Sequence, residues 1–385
     1  MTEEFLPFAR PSISRAAIDE VVACLESGWI TTGPRVKKFE DELKRYFNAP
    51  HALALSSATA GLHLTLLALD LKPGDEVITT PMTFAATLNT IVLAGARPVL
   101  VDVELDTYNV DVSKLAMAIT KRTRAIMPVH FAGLPVDLDP LYELAARHGL
   151  RVIEDAAHAI GTEYKGKRIG AFGDIQVFSF HPNKNMTTGE GGCVVTRDDK
   201  LAEKIALLRF HGMDREAWNR FGKSGSQHYE IVLPGFKYNM MDIQAALGLH
   251  QLPALEGFIK RRTELALRYQ KLLADWPQWT RPGTPKYVHR HAWHLYVPLL
   301  NPEAAGMDRD AFMTGMKERN IGTGLHYRAA HLYPYYRENY GFKPGDFPNA
   351  ESIGSRIVSL PLFPALSDAD QDRVIAAMTD LFQRK

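Results

Sequence analysis

From about residue 50 to residue 210, short apolar runs alternate with longer amphipathic ones, and this alternation leaves the chain few possible folds. His51 to Leu55 reads as a strand, and Thr59 to Leu69 as a helix ended by Lys72-Pro73-Gly74-Asp75. Glu76 to Thr79, Pro98 to Val103, Arg124 to Val129, Arg151 to Ile153, Ile175 to Phe180 and Cys193 to Thr196 read as further strands. Phe84 to Ala94, Lys114 to Ile119 and Leu138 to His148 read as helices between them. Strands alternating with helices of about ten residues imply βαβ units and a mainly parallel α/β sheet. Such strands are buried on both faces, which explains their continuous apolar runs. Ligands of such sheets gather beyond the carboxyl ends of the strands, so residues just past each strand are the candidates for chemistry.

A length of 385 residues is enough for two domains with a large core. The expected division is a large domain over 1–250, including the N-terminal segment, and a smaller α+β C-terminal domain over 251–385. Met241 to about Ala274 is helical in pattern, with Pro253 expected to kink or break the run. A strand signal follows at His294 to Leu299, then helices at Arg309 to Arg319 and Asp368 to Phe382. Charge is nearly balanced, 45 Lys+Arg against 44 Asp+Glu, which argues against a nucleic-acid partner. The two cysteines, Cys24 and Cys193, fit no metal or redox spacing. No run approaches the ~20 apolar residues needed to span a bilayer, and no basic region precedes an apolar one at the start. A cytoplasmic chain without a membrane partner is expected.

Three segments combine chemistry with a strand-end position. Ser56-Ser57-Ala58-Thr59-Ala60-Gly61 joins the first strand to its helix. Small residues there let a ligand approach the backbone, and a helix N-terminus favours a phosphate; an ordinary N-cap is the plainer reading. Glu154-Asp155-Ala156-Ala157-His158 sets acids at a strand end, where Asp155 can accept from a protonated ring nitrogen or cap a helix. Ser179-Phe180-His181-Pro182-Asn183-Lys184 ends another strand, before Thr187-Thr188-Gly189-Glu190-Gly191-Gly192. A lysine desolvated there can serve as a Schiff-base nucleophile, although a lysine taken at random is a solvated surface residue. Gly161 to Lys167 resembles a P-loop, but Arg168 stands where that motif needs Ser or Thr, so a hairpin turn is expected. His289, His291 and His294 lie in a strand-like stretch with Trp293 and Tyr296, and no metal site is assigned to them.

Together these elements resemble the fold-type-I pyridoxal-phosphate (PLP) transferases, specifically the DegT/DnrJ/EryC1/StrS sugar aminotransferases. The likeness runs from Ser27-Gly28-Trp29-Ile30-Thr31-Thr32-Gly33-Pro34 to Ser359-Leu360-Pro361-Leu362-Phe363-Pro364. It implies that Lys184 forms the Schiff base with PLP and that Asp155 pairs with the pyridinium nitrogen. It implies that Ser57, Ala58, Thr59 and Ser179 hold the phosphate and that Phe84 lies over the ring. His158 is implied near the ring hydroxyl, with Thr83 in the pocket. Asn239, in Gly235-Phe236-Lys237-Tyr238-Asn239, matches a residue reaching the phosphate from a second subunit, which implies a homodimer with shared active sites. Ala58, where Gly is usual, and His158, where Gln is common, are similar to the branch making UDP-4-amino-4-deoxy-L-arabinose, as is Gly324 to His331. His181-Pro182-Asn183 does not clearly match that branch.

The activity implied is transfer of the glutamate amino group, by a ping-pong scheme releasing 2-oxoglutarate, to a nucleotide-linked 4-keto-sugar. Lys184 is the implied proton shuttle. Trp29, Ile30, Thr31, Thr32, His326, Tyr327 and Arg328 are candidates for the sugar or nucleotide, each with a plain loop or packing role as the alternative. A sugar dehydratase of the same family carries a histidine in place of the lysine, so Lys184 favours transamination. A non-catalytic regulator binding sugar nucleotide or PLP, and a P-loop kinase, are further alternatives.

Overall fold

The computed structural model describes residues 4–214 and 229–383. Two N-terminal helices, α1 (Arg15–Glu26) and α2 (Pro34–Phe47), precede the sheet. α2 begins with Pro34 in its first turn, where a missing N–H costs nothing. It buries Val36, Phe39, Leu43 and Phe47 at helical spacing.

The sheet is built from β1 (His51–Leu55), β2 (Glu76–Thr79), β3 (Arg97–Leu100), β4 (Thr123–Ile126) and β5 (Arg151–Asp155). A short hairpin, β6 (Glu163–Tyr164) and β7 (Lys167–Arg168), comes next, as expected for the P-loop-like segment. β8 (Ile175–Ser179) and β9 (Gly192–Thr196) complete the sheet. Among the described residues it has seven strands in the order β1-β9-β8-β5-β4-β2-β3. All neighbours from β8 to β3 run parallel. β9 is antiparallel to both β8 and β1. β1 therefore points the same way as β8, and six of the seven strands end at one edge.

Helices α3 (Ala58–Ala68), α4 (Ala85–Leu93), α5 (Leu115–Ala118), α6 (Leu138–His148) and α7 (Asp199–Leu208) connect or cover these strands. α3 has almost no polar face because it lies between the sheet and α4 and α7. Gly61 permits that approach: a Cβ there would lie 2.7 Å from Val177 Cγ1. On the other face, Phe47 stacks on Phe178 at 4.6 Å and Phe39 meets Phe180 edge-on at 5.7 Å. Each buried ring contributes roughly 1.5–3 kcal/mol. Since side chains alternate along a strand, fixing Phe178 and Phe180 in that core turns Ser179 to the opposite face.

The segment after residue 240 forms one helix, α8 (Asp242–Leu272), which continues through Pro253 instead of breaking there. Its packing on α1 and α2 offsets the hydrogen bond lost at Pro253. The expected boundary between residues 250 and 251 falls inside α8. That helix gives Leu252, Leu255 and Ile259 to one core, and Leu265, Ala266 and Tyr269 to another containing Trp279, Tyr296 and Phe312. Beyond it lie β10 (Trp279–Thr280), β11 (His289–Arg290), β12 (Leu299–Leu300), α9 (Pro302–Ala305), α10 (Arg309–Glu318), α11 (Pro334–Tyr340), α12 (Pro348–Arg356) and α13 (Asp368–Gln383). The strand expected over His294 to Leu299 is not regular. Its residues are buried, but their backbone partners are scattered, with Leu295 N–H donating to Ala132 and Tyr296 bridging Leu360. Apolar content marked the burial and not the ladder.

Candidate active site

The common strand edge brings four turns together around a cavity of about 310 Å³. Ser57, Ala58 and Thr59 follow β1; Thr83 and Phe84 follow β2; Asp155 ends β5, with Ala157 and His158 after it; Ser179 ends β8, with Lys184 after it; all line the cavity. His326 and Tyr327, from the C-terminal part, close it. The volume falls at the low end of the ~300–1,000 Å³ usual for small-ligand sites.

Asp155 is the last residue of β5 and buried. Its Oδ2 accepts from Thr87 Oγ1 at 2.7 Å and its Oδ1 from Ala157 N–H at 3.2 Å. Burial raises its pKa, against the lowering effect of those two donors and of the nearby Lys184 charge. A carboxylate has about four acceptor positions, so Asp155 keeps capacity for a cation. Its neighbour Glu154 faces the other side of the sheet. There it is held by His130 at 2.7 Å and by Tyr142 and Gln176 at 2.6 Å each. That network fixes the strand end from beneath.

Lys184 Nζ lies 3.5 Å from His294 Nε2. Burial pulls the amine below its ordinary pKa, to about 8, while the Asp155 carboxylate opposes the shift. His158 is buried; its Nδ1 accepts from Ala132 N–H at 3.2 Å, and its Nε2 is 3.0 Å from the Tyr327 hydroxyl. Burial, reinforced by the Lys184 charge, holds His158 well below the usual histidine range. A neutral ring accepting at Nδ1 carries its proton on Nε2 and donates it to Tyr327. His326 Nδ1 pairs with Ser359 Oγ at 2.7 Å, and burial lowers its pKa to about 4.

Ser57 caps α3, its Oγ accepting from Ala60 N–H at 3.0 Å. The plain N-cap reading is thus correct, and the anion-binding reading stands beside it. Among the described residues no acceptor reaches the first-turn N–H groups of Ala58 and Thr59. With the Ser179 side chain in the same cavity, they suit a phosphate. The donor set as a whole fits a phosphorylated pyridine aldehyde: an amine of lowered pKa, a buried carboxylate with spare capacity, and a helix N-terminus. Phe84, 60% exposed, stands at the rim with its ring 5.8 Å from that of Tyr327.

Other expected residues lie elsewhere in this chain. Asn239 is outside the cavity and donates from Nδ2 to Thr32 Oγ1. Trp29 donates to Thr32 O at 3.2 Å, and neither it nor Ile30, Thr31 or Thr32 lines the cavity. Arg328 turns away, with its guanidinium over the Tyr333 ring and bonded to Leu332 O. His289 pairs in a strand with Tyr164, and His291 stacks on Trp293 at 3.8 Å. Two contributors were missed. Thr87 was legible as the polar partner of Thr83, four residues earlier on an apolar helix; the two hydroxyls lie 2.6 Å apart. Because Thr87 has one proton and gives it to Asp155, Thr83 is the donor between them. His294 had no distinguishing signal beyond a histidine in a buried run.

The chain matches the DegT/DnrJ/EryC1/StrS aminotransferase family over residues 11–379. It is 48% identical over 381 residues to the spore coat polysaccharide biosynthesis protein SpsC of Bacillus subtilis, covering 98% of this chain and 97% of SpsC. Its fold superposes on PseC of Helicobacter pylori, an aminotransferase involved in the biosynthesis of pseudoaminic acid. That match has a TM-score of 0.91 and 30% identity, and covers 99% of this chain and 100% of PseC. The PLP form of Spr1654 from Streptococcus pneumoniae superposes with a TM-score of 0.90 at 33% identity, covering 99% of each chain.

Proposed function

Because this chain belongs to the DegT/DnrJ/EryC1/StrS aminotransferase family, we propose that it moves the amino group of L-glutamate onto a nucleotide-linked 4-keto-sugar. It is a fold-type-I aminotransferase whose cofactor is pyridoxal phosphate. The observation that carries the reading is the meeting of two groups from different strand ends in one cavity: the Lys184 amine, its pKa lowered to about 8, and the Asp155 carboxylate, to which no cation is bonded among the described residues. The names of SpsC and PseC, one tied to a spore coat polysaccharide and one to pseudoaminic acid, support a sugar acceptor.

Bound PLP supplies the conjugated ring that takes up the electron pair released when the amine-bearing carbon loses its proton. The chain does the rest. Lys184 anchors the cofactor and, when free, carries the proton between the two reacting carbons, a role typically worth ~10²–10⁴ in rate. Asp155 keeps the ring nitrogen protonated, since an opposite charge within ~4–6 Å favours the charged form. Ser57, Ala58, Thr59 and Ser179 bind the phosphate. Phe84 would hold the ring of the bound cofactor, and His158, oriented by Ala132 and Tyr327, would hold its hydroxyl. Glutamate leaves as 2-oxoglutarate before the keto-sugar enters, a ping-pong order. His326 and Tyr327 contact the sugar. Asn239 and the Trp29 to Thr32 turn, which do not line the cavity of their own chain and lie beside each other, serve the site of a second subunit in a homodimer. Polysaccharide or lipopolysaccharide synthesis in the cytoplasm is the setting proposed.

The test is a panel of UDP-, dTDP- and GDP-linked 4-keto-sugars with glutamate, reading 2-oxoglutarate and aminated sugar by mass. Equal amounts of both products with at least one sugar are expected. Absence of 2-oxoglutarate throughout, or a deoxygenated sugar lacking the amine, refutes the proposal.

A further inference from the structure

We propose that His294 is a positioning residue for Lys184: its neutral imidazole, protonated on Nε2, holds the uncharged lysine amine whenever that amine is free. This rests on the reading that Lys184 carries the cofactor.

The geometry begins with the 3.5 Å approach of Nζ to Nε2. Among the described residues no carboxylate forms an ion pair with the amine, and this imidazole is its side-chain hydrogen-bond partner. The other ring nitrogen, Nδ1, is buried and has no hydrogen-bond partner among the described residues. A buried orphan donor is rarer than an orphan acceptor, so the proton belongs on Nε2, facing the lysine. An N–H aimed at an ammonium sets donor against donor. Aimed at a neutral amine, it meets a lone pair. His294 therefore selects the uncharged amine, the form that can attack a carbonyl carbon or accept a proton.

Protonation of His294 offers no escape from this arrangement. Burial opposes it first, and then the charges of Lys184 and Arg262. The ring is also held on several sides. It lies 4.4 Å from the His158 ring. Asn185, next to Lys184, donates from Nδ2 to Ala292 O at 2.7 Å. Buried Arg262, which has no carboxylate partner among the described residues, donates to Trp293 O at 3.3 Å and His294 O at 3.2 Å. Ala292 N–H donates to Gly133 O at 3.0 Å. The loop carrying His294 is thus tied both to the lysine's own segment and to the turn beside His158. The remaining titratable groups around the amine are Asp155 from β5, His158 and Tyr327, and His326, with His181 and Glu190 at the cavity mouth.

The experiment follows acylation of Lys184 by acetic anhydride against pH in the full-length, cofactor-free chain, read by mass spectrometry of the Lys184 peptide. The wild-type midpoint is expected near 8. His294→Phe keeps the ring volume and the burial but removes the donor that only the neutral amine can use. Its midpoint should rise by about one unit, a tenfold gain in proton affinity. His294→Gln, which retains an N–H of similar reach, should stay within ~0.3 unit of wild type. An unchanged midpoint in His294→Phe, or an equal rise in His294→Gln, overturns the proposal. ¹⁵N spectra of histidine-labelled wild-type protein decide independently of any variant's folding: the Nε2–H tautomer at His294 is expected, and the Nδ1–H tautomer or an imidazolium overturns it. Borohydride labelling of wild-type holoenzyme separates the two levels. Failure to label Lys184 refutes the underlying function, whereas labelling with unmoved midpoints refutes only the role of His294.

Discussion

Replacing Thr87 by Val keeps the shape of the side chain and removes its hydroxyl from Asp155 Oδ2, 2.7 Å away in a buried setting. A hydrogen bond to a charged group contributes about 1.5–3 kcal/mol. Divided by 1.36 kcal/mol per unit, that is a rise of roughly one to two units in the Asp155 pKa. The sign follows from the environment. Burial already holds this carboxyl above its ordinary value, and Thr87 is the first of the groups pulling it back. Turnover that needs the ionised form should lose its acid side: the acidic limb of kcat against pH moves up by about one to two units. The alkaline side should stay in place. Stability should respond in the same sense. A carboxyl with raised folded-state pKa loses folding free energy as pH climbs from its unfolded to its folded value. Thr87→Val should therefore cost about 1.5–3 kcal/mol at pH 8 and less near pH 4, measured by urea unfolding. Superimposable pH profiles, or a limb displaced toward lower pH, would refute the reasoning.

Asp155→Ala should leave a folded protein that retains little turnover, checked by circular dichroism and product assay; unchanged turnover would remove this residue from the electron-sink role. Gly133→Ala should destabilise by about 1–3 kcal/mol through its left-handed φ of +94° alone. Its Cβ would also lie 3.0 Å from His158 O and 3.1 Å from His294 N. Weaker cofactor binding by fluorescence titration should accompany the lower melting temperature.

Most of the sheet was legible because buried parallel strands leave a simple mark: β1 and β2 run as read, and the others differ by a few residues at their ends. Ser57, Asp155 and Lys184 stood out as candidates for the same reason, since each lies at or past the end of a strand and these strands end at one edge. What escaped depends on contacts remote in sequence. Thr87 matters only because α4 lays it against β5. His294 matters only because a loop from the C-terminal part docks on Lys184 and Gly133. Pro253 was expected to kink or break its helix, yet α8 runs on through it, packed on α1 and α2. Asn239 and the Trp29 to Thr32 turn were read as site residues; they lie against one another and do not line the cavity of their own chain, although Asn239 bridges Leu55 just before the Ser57 turn.

The most direct measurement is borohydride reduction of the purified holoenzyme followed by peptide mapping. A single stable cofactor adduct should appear on the peptide containing Lys184, and Lys184→Ala should show neither the adduct nor transamination. An adduct on another lysine, or full activity in that variant, would contradict the assignment of this amine.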